Sequence, residues 1–174
     1  MDSDLYYAVT TDNLHGLKDL WRRLSVGDQR TPTASTVLHL ALHAKKHDLT
    51  KATDNYGWTV FHYVAFNDLY TIVEYLVGAD KSMGYRTDDK YKRTALHVAA
   101  YKGNVRVTQK LLEYYPDCWD IVDGKGQNML HIAVNKDRKE MIRFILLQGR
   151  KTSNALLIQR DNDGMIKTFI AGNA

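Results

Sequence analysis

The heptapeptide TVFHYVA at residues 59–65 returns as TALHVAA at 94–100 and as NMLHIAV at 128–134. Its histidines, His62, His97 and His131, stand 35 and then 34 residues apart. This period constrains the fold more than any single motif. Each unit is one supersecondary element, too small to bury its own apolar face, and must be covered by the next copy. Positions within the unit have separate physical tasks. Thr59, Thr94 and Asn128 are residue types whose side-chain oxygens satisfy free N–H groups at a helix start. Val60, Ala95 and Met129 stand where a proline would pre-set the first helical turn. Ala65, Ala99 and Ala133 are assigned to one position, two residues after the histidine, with Ala8 and Ala41 in the same register, and such small side chains predict close helix approach. Farther on come Ile72/Val73, Val107 and Met141/Ile142, then Leu76, Leu111 and Ile145. Their spacing is the apolar stripe of a second helix.

Polar turns between the helix pairs end at Gly57, Lys92, Gly126 and Gly164, with Asp54, Asp89, Asp123 and Asp161 three residues ahead of them. Aspartate bonds to its own turn backbone and glycine supplies positive φ, so Lys92 marks one turn as less regular. Thr-x-Leu-His-x-Ala at this period, in three copies plus Thr36–Ala41, resembles the ankyrin repeat, a β-turn followed by two helices. The resemblance implies an all-α solenoid of stacked helix-turn-helix units with projecting β-turn fingers. Its expected parts, within one domain over 1–174, are a capping helix pair at 5–24, a truncated repeat at 36–52, repeats at 57–83, 92–119 and 126–153, and a degenerate stub at 161–174. Truncation of the second unit follows from its length: Gly57 comes 18 residues after His39, against 29 from His97 to Gly126. The second helix of that unit has lost most of its length, so residues 57–153 are expected to form the ordered core and residues 1–50 to pack loosely. In the stub, Ile166 takes the cap position and Phe169 the histidine position. An uncapped apolar end invites self-association or a continuation.

The run ALHVAAYKGNVRVTQKLLEYYPDCWDIVDGKGQNMLHIAV at 95–134, with its Pro116-Asp117-Cys118 step, and Gly57-Trp58-Thr59-x-Phe61-His62-Tyr63-x-Ala65 carry a narrower likeness. They resemble the plant ankyrin proteins of the accelerated-cell-death type over about residues 5 to 165, most specifically over 93–134. The resemblance implies a protein-interaction module linked to plant defence and cell-death signalling. Such proteins normally continue into a C-terminal membrane domain, which this sequence lacks. A second expectation is a truncated regulatory product that competes for the parent protein's partners or self-associates.

Other function classes receive little support. Net charge is +4, with lysines and arginines spread along the chain and often beside acids, unlike the clustered charge of a nucleic-acid binder. Cys118 is the single cysteine, which fits a reducing compartment. The polar N-terminus and the absence of an apolar run of about 18 residues argue against a signal peptide and a membrane span. A cytoplasmic location is the expectation. His39, His43 and His47 in LHLALHAKKH fall four apart, a spacing that could place metal ligands on one helix face. However, His39 occupies the repeat's structural position. In a stack, its equivalents would be about 10 Å apart, too far to share a metal bound at about 2.1 Å. GKGQN at 124–128 lacks the rest of a dinucleotide fingerprint. No metal, no cofactor and no enzymatic activity are expected.

Resemblance to ankyrin proteins places the variable positions on the finger tips and the inner face of the first helix, which together form a concave groove. The tips offer Asn55, Tyr56 and Trp58; Lys90, Tyr91 and Arg93; and Gly124, Lys125 and Gln127. The helix faces offer Phe66, Asn67, Tyr101, Lys102, Asn135 and Lys136. The protein-binding residues are therefore expected to be Tyr56, Trp58, Asn67, Lys90, Tyr91, Arg93, Lys102, Lys125, Gln127 and Lys136. Their aromatic and basic character suits binding hot spots and a protein partner with an acidic patch.

Overall fold

The computed structural model describes residues 53–54, 56–77, 82–152 and 159–164. The expected capping pair at 5–24, the truncated repeat at 36–52, the three-histidine stretch and Asn55 lie outside the described residues. Three helix pairs follow the repeat: α1 (Val60–Phe66) with α2 (Tyr70–Val77), α3 (Ala95–Lys102) with α4 (Val105–Tyr114), and α5 (Met129–Asn135) with α6 (Lys139–Thr152). Short 3-10 turns, Met83–Tyr85 and Pro116–Asp120, follow the first two pairs. There is no β-strand among the described residues.

The helices start where the sequence expects. Thr59, Thr94 and Asn128 are extended cap residues, each in a reciprocal arrangement with the histidine three positions on. Between the helices of each pair one residue is left-handed: Asp68 (φ 55°), Gly103 (φ 83°) and Asp137 (φ 49°). This tight reversal folds the second helix back on the first.

First helices stack on first helices, α1 on α3 on α5, and second helices on second, α2 on α4 on α6. Phe61, Leu96 and Leu130, each one residue before a histidine, form a buried column. Val73 and Leu76, Val107 and Leu111, and Met141 and Ile145 form the buried side of the second-helix layer, as the stripe requires. The small-residue register needs one correction. Ala99 and Ala133 stand two residues after their histidines, but Val64 holds that place in the first unit, and Ala65 is the equivalent of Ala100. Val64, Ala65, Ala99, Ala100 and Ala133 are all fully buried, so a valine fits the α1–α3 seam.

The fingers also stack, each tied to the next by a backbone hydrogen bond. Asp89 N donates to Tyr56 O (2.9 Å), Gly124 N to Tyr91 O (2.7 Å) and Asn162 N to Lys125 O (3.0 Å). Each accepting residue precedes a left-handed one: Gly57, Lys92 (φ 54°) or Gly126. One side of each contact is glycine. A Cβ on Gly57 would lie 2.6 Å from Asp89 N, and one on Gly126 would lie 2.4 Å from Asn162 Oδ1. In the middle contact the assignment is reversed. Lys92 carries the side chain, and the residue opposite is Gly124, whose added Cβ would lie 3.7 Å from Lys92 Cγ and 3.1 Å from Tyr91 O. Space is thereby provided for Lys92, but its left-handed backbone still costs about 1 kcal/mol. Lys92→Gly is expected to raise stability by about 0.5–1 kcal/mol, after allowing for glycine's larger unfolded-state entropy. Urea denaturation of the two proteins reads the difference, and a lower midpoint would contradict it.

Candidate protein-binding surface

Each finger is closed by an aspartate turned inward. Asp54 Oδ1 accepts from Tyr56 N and Trp58 N, both at 2.8 Å, while Asp54 N donates to Trp58 O at 3.0 Å. Asp123 repeats the pattern, with Oδ1 accepting from Lys125 N (2.8 Å) and Gln127 N (3.0 Å). In the second finger the sequence expectation of Asp89 is corrected. Asp88 is the buried residue: its Oδ1 accepts from Tyr91 N at 2.5 Å and its backbone N donates to Arg93 O at 2.9 Å, whereas Asp89 is exposed. The finger stack gives the reason: Asp89 N donates to Tyr56 O as Gly124 N donates to Tyr91 O, so Asp89 takes the place of Gly124 and Asp88 that of Asp123.

His62 and His97 bind their first helices to the finger of the next unit. Thr59 N donates to His62 Nδ1 at 3.0 Å, and Thr59 Oγ1 lies 2.9 Å from the same atom. Nδ1 therefore accepts, so the ring's hydrogen is on Nε2, which donates to Arg93 O at 2.9 Å. His97 repeats this, with Thr94 N at 3.2 Å, Thr94 Oγ1 at 2.8 Å and Gln127 O at 3.2 Å from Nε2. Burial pushes the His62 imidazole below its ordinary value, and it pushes His97 down to about 4. Both rings are neutral at pH 7, as acceptor duty at Nδ1 requires. At the third unit Asn128 Oδ1 accepts from His131 N at 3.0 Å and lies 2.7 Å from His131 Nδ1.

A second link between units was not read from the sequence. Asn104 Nδ2 donates to Ala65 O (2.8 Å) and Phe66 O (3.1 Å), and Arg138 Nε donates to Tyr101 O (3.0 Å). Each caps the C-terminal carbonyls of the preceding unit's first helix, which have no partner within that helix. Asn104 and Arg138 both stand seven residues after their histidines, so the repeat register held the signal.

The expected binding residues divide into two groups. Tyr56, Lys90, Tyr91, Lys125 and Lys136 are exposed and Lys102 is half-exposed. The others carry structural contacts. Trp58 stacks on His62 and packs edge-on against Tyr63, with ring centroids 5.8 and 5.0 Å away. Asn67 Nδ2 donates to Tyr63 O at 2.9 Å, closing the end of α1. Arg93 Nε pairs with the buried Asp123 Oδ2 at 3.2 Å, joining the second finger to the third. Gln127 O receives the His97 Nε2 hydrogen.

The exposed group runs from the finger tips onto the first helices. Lys90 Nζ and Arg93 Cζ lie 5.0 and 4.9 Å from the Tyr91 ring centre, and Arg93 Cζ lies 5.9 Å from that of Tyr101. Lys136 Nζ lies 4.7 Å from the Tyr101 ring centre and Lys102 Nζ 4.2 Å from that of Phe66. Lys102 and Lys136 are thus each held over an aromatic ring of the preceding unit by cation–π attraction. Tyr91, Arg93, Tyr101 and Lys136 form one continuous chain across two units.

The Cys118 thiol is buried, donates to Gly84 O at 3.2 Å, and is pushed up to about 12 by that burial, opposite to the shift of an activated nucleophile. Among the described residues no group of three or more His, Cys, Asp or Glu side chains is placed to hold a metal ion. No helix among them is long and apolar enough to cross a membrane.

Residues 82–155 match the family model for ankyrin repeats (3 copies). With its paired helices, its finger turns and its cap–histidine pairs, the fold is that of an all-α ankyrin-repeat solenoid, an architecture that serves as a protein–protein interaction module.

Proposed function

We propose that the chain is a non-enzymatic cytoplasmic adaptor that holds a protein partner on the face formed by its fingers and first helices. The observation that carries this reading is the set of exposed Tyr56, Tyr91 and Lys136 and half-exposed Lys102 on stacked units. Tyrosines there offer large contact area at low entropic cost, and the cations favour a partner with an acidic patch. Likeness of residues 93–134 to the plant accelerated-cell-death type supports a role in defence or cell-death signalling.

The test is affinity capture with the wild-type protein and the Tyr56→Ala/Tyr91→Ala double variant side by side. These two side chains are exposed, so their loss should leave helical circular dichroism unchanged. Trp58 and Arg93 are left intact because they stack on His62 and pair with Asp123. Capture is expected to fall at least about ten-fold, the effect of removing two modest hot spots. Equal capture by both proteins would move the site off the fingers.

A further inference from the structure

We infer that this face takes an extended acidic segment of the partner, with a carboxylate at about every third residue. The inference rests on the adaptor reading above and adds the register of the ligand. Lys102 and Lys136 each stand five residues after their histidine, and each ammonium is held over an aromatic ring of the preceding unit. Neither makes an ion pair among the described residues, nor do Lys90 and Lys125 on the fingers. On the second helices Lys110 is matched to Glu74 and Glu113, at 2.7 and 2.8 Å, and Arg143 to Glu140 at 2.9 Å, while Arg106 lies over the Tyr70 ring at 3.8 Å with no ion pair among the described residues.

The aspartates that close the fingers are turned away from the binding face. Asp54, Asp88, Asp123 and Asp161 are buried, and the first three accept from the N–H groups of their own turns. Exposed Asp89 lies against Gly57 of the preceding finger, and exposed Asp137 sits in the reversal between α5 and α6. The face therefore presents two positioned cations without an ion pair among the described residues, Lys102 and Lys136, on adjacent units.

The spacing of the helices that carry them selects the ligand. α3 and α5 pack side by side, and packed helices lie about 8–10 Å apart. A polyproline-II chain advances about 3.1 Å per residue and returns to the same side every third residue, a step of about 9 Å. A carboxylate at every third position would meet successive lysines without rearrangement of either chain.

Fluorescence anisotropy of two labelled peptides on the full chain tests this. One peptide is four repeats of Glu-Pro-Pro. The other has the same composition, with its four glutamates in one block followed by eight prolines. The repeat peptide is expected to bind at least about ten-fold more tightly than the block peptide. The Lys102→Glu/Lys136→Glu variant is expected to lose at least about ten-fold, and Lys139→Glu, at the start of α6, to stay within about two-fold. If the charge reversal disturbs the circular dichroism, Lys102→Met/Lys136→Met keeps the stems over their rings and should show the same loss. Equal binding of both peptides, binding of neither, indifference to the lysine variants, or tighter binding of a single-stranded oligothymidylate would each overturn the inference. The adaptor reading fails separately. If Tyr56→Ala/Tyr91→Ala loses partner capture while the peptides show no preference for the repeat, the surface stands and the register falls.

Discussion

Replacing His97 by alanine is expected to lower the unfolding free energy by about 3–5 kcal/mol, more than any exposed finger substitution. The imidazole is 1% exposed and meets three polar groups: Thr94 N, Thr94 Oγ1 and Gln127 O. Alanine leaves the Thr94 N–H and the Gln127 carbonyl without their partner, at about 1–3 kcal/mol for each buried group, and opens a cavity besides. The damage should also spread between units, because Gln127 O belongs to the next finger. Chemical denaturation of His97→Ala beside Lys125→Ala measures this. The lysine is exposed, and its removal should change stability by no more than about 0.5 kcal/mol. Equal stability of the two variants would mean that the histidine only fills space.

The second large effect is with acid. His97 has a value of about 4 in the folded protein, set first by desolvation, with Asp123 opposing the shift and Arg93 adding to it. In the unfolded chain the same side chain titrates near 6.5. Between these values the unfolded state binds more protons, so the stability contributed by the neutral ring is fully present above about pH 6.5 and is lost as pH falls toward 4. The loss attributable to His97 is on the order of 3 kcal/mol at pH 4. His62 shifts in the same direction for the same leading reason and adds to it. Urea midpoints of wild type are therefore expected to fall between pH 7.5 and 5, and those of His97→Ala to fall less. Parallel pH profiles would remove His97 as a source of the acid sensitivity.

Much of this architecture was legible in the sequence because the repeat superimposes independent signals on one period. Cap, histidine, small residue and apolar stripe at positions such as Thr94, His97, Ala99, Val107 and Leu111 all point to the same helix pair. The second finger was misread for a physical reason. Asp88 and Asp89 are adjacent and chemically identical, and counting back three residues from Lys92 selects Asp89, although the finger stack leaves Asp88 to close the turn. Asn104 and Arg138 were passed over because their partners are main-chain carbonyls of the preceding unit. No residue-type pattern marks a carbonyl acceptor. Within the candidate site, exposure at Tyr56, Tyr91 and the lysines followed from register. The structural duties of Trp58, Asn67, Arg93 and Gln127 depended on distances that a linear pattern does not carry.

Mass-spectrometric acetylation of the lysines, free and in complex with the captured partner, tests the binding face most directly. Bound partner is expected to slow modification of Lys90, Lys102, Lys125 and Lys136 together, and to leave exposed Lys139 on α6 unchanged. Slowing at Lys139 with the four finger and first-helix lysines unaffected would place the partner on the second helices and contradict the account.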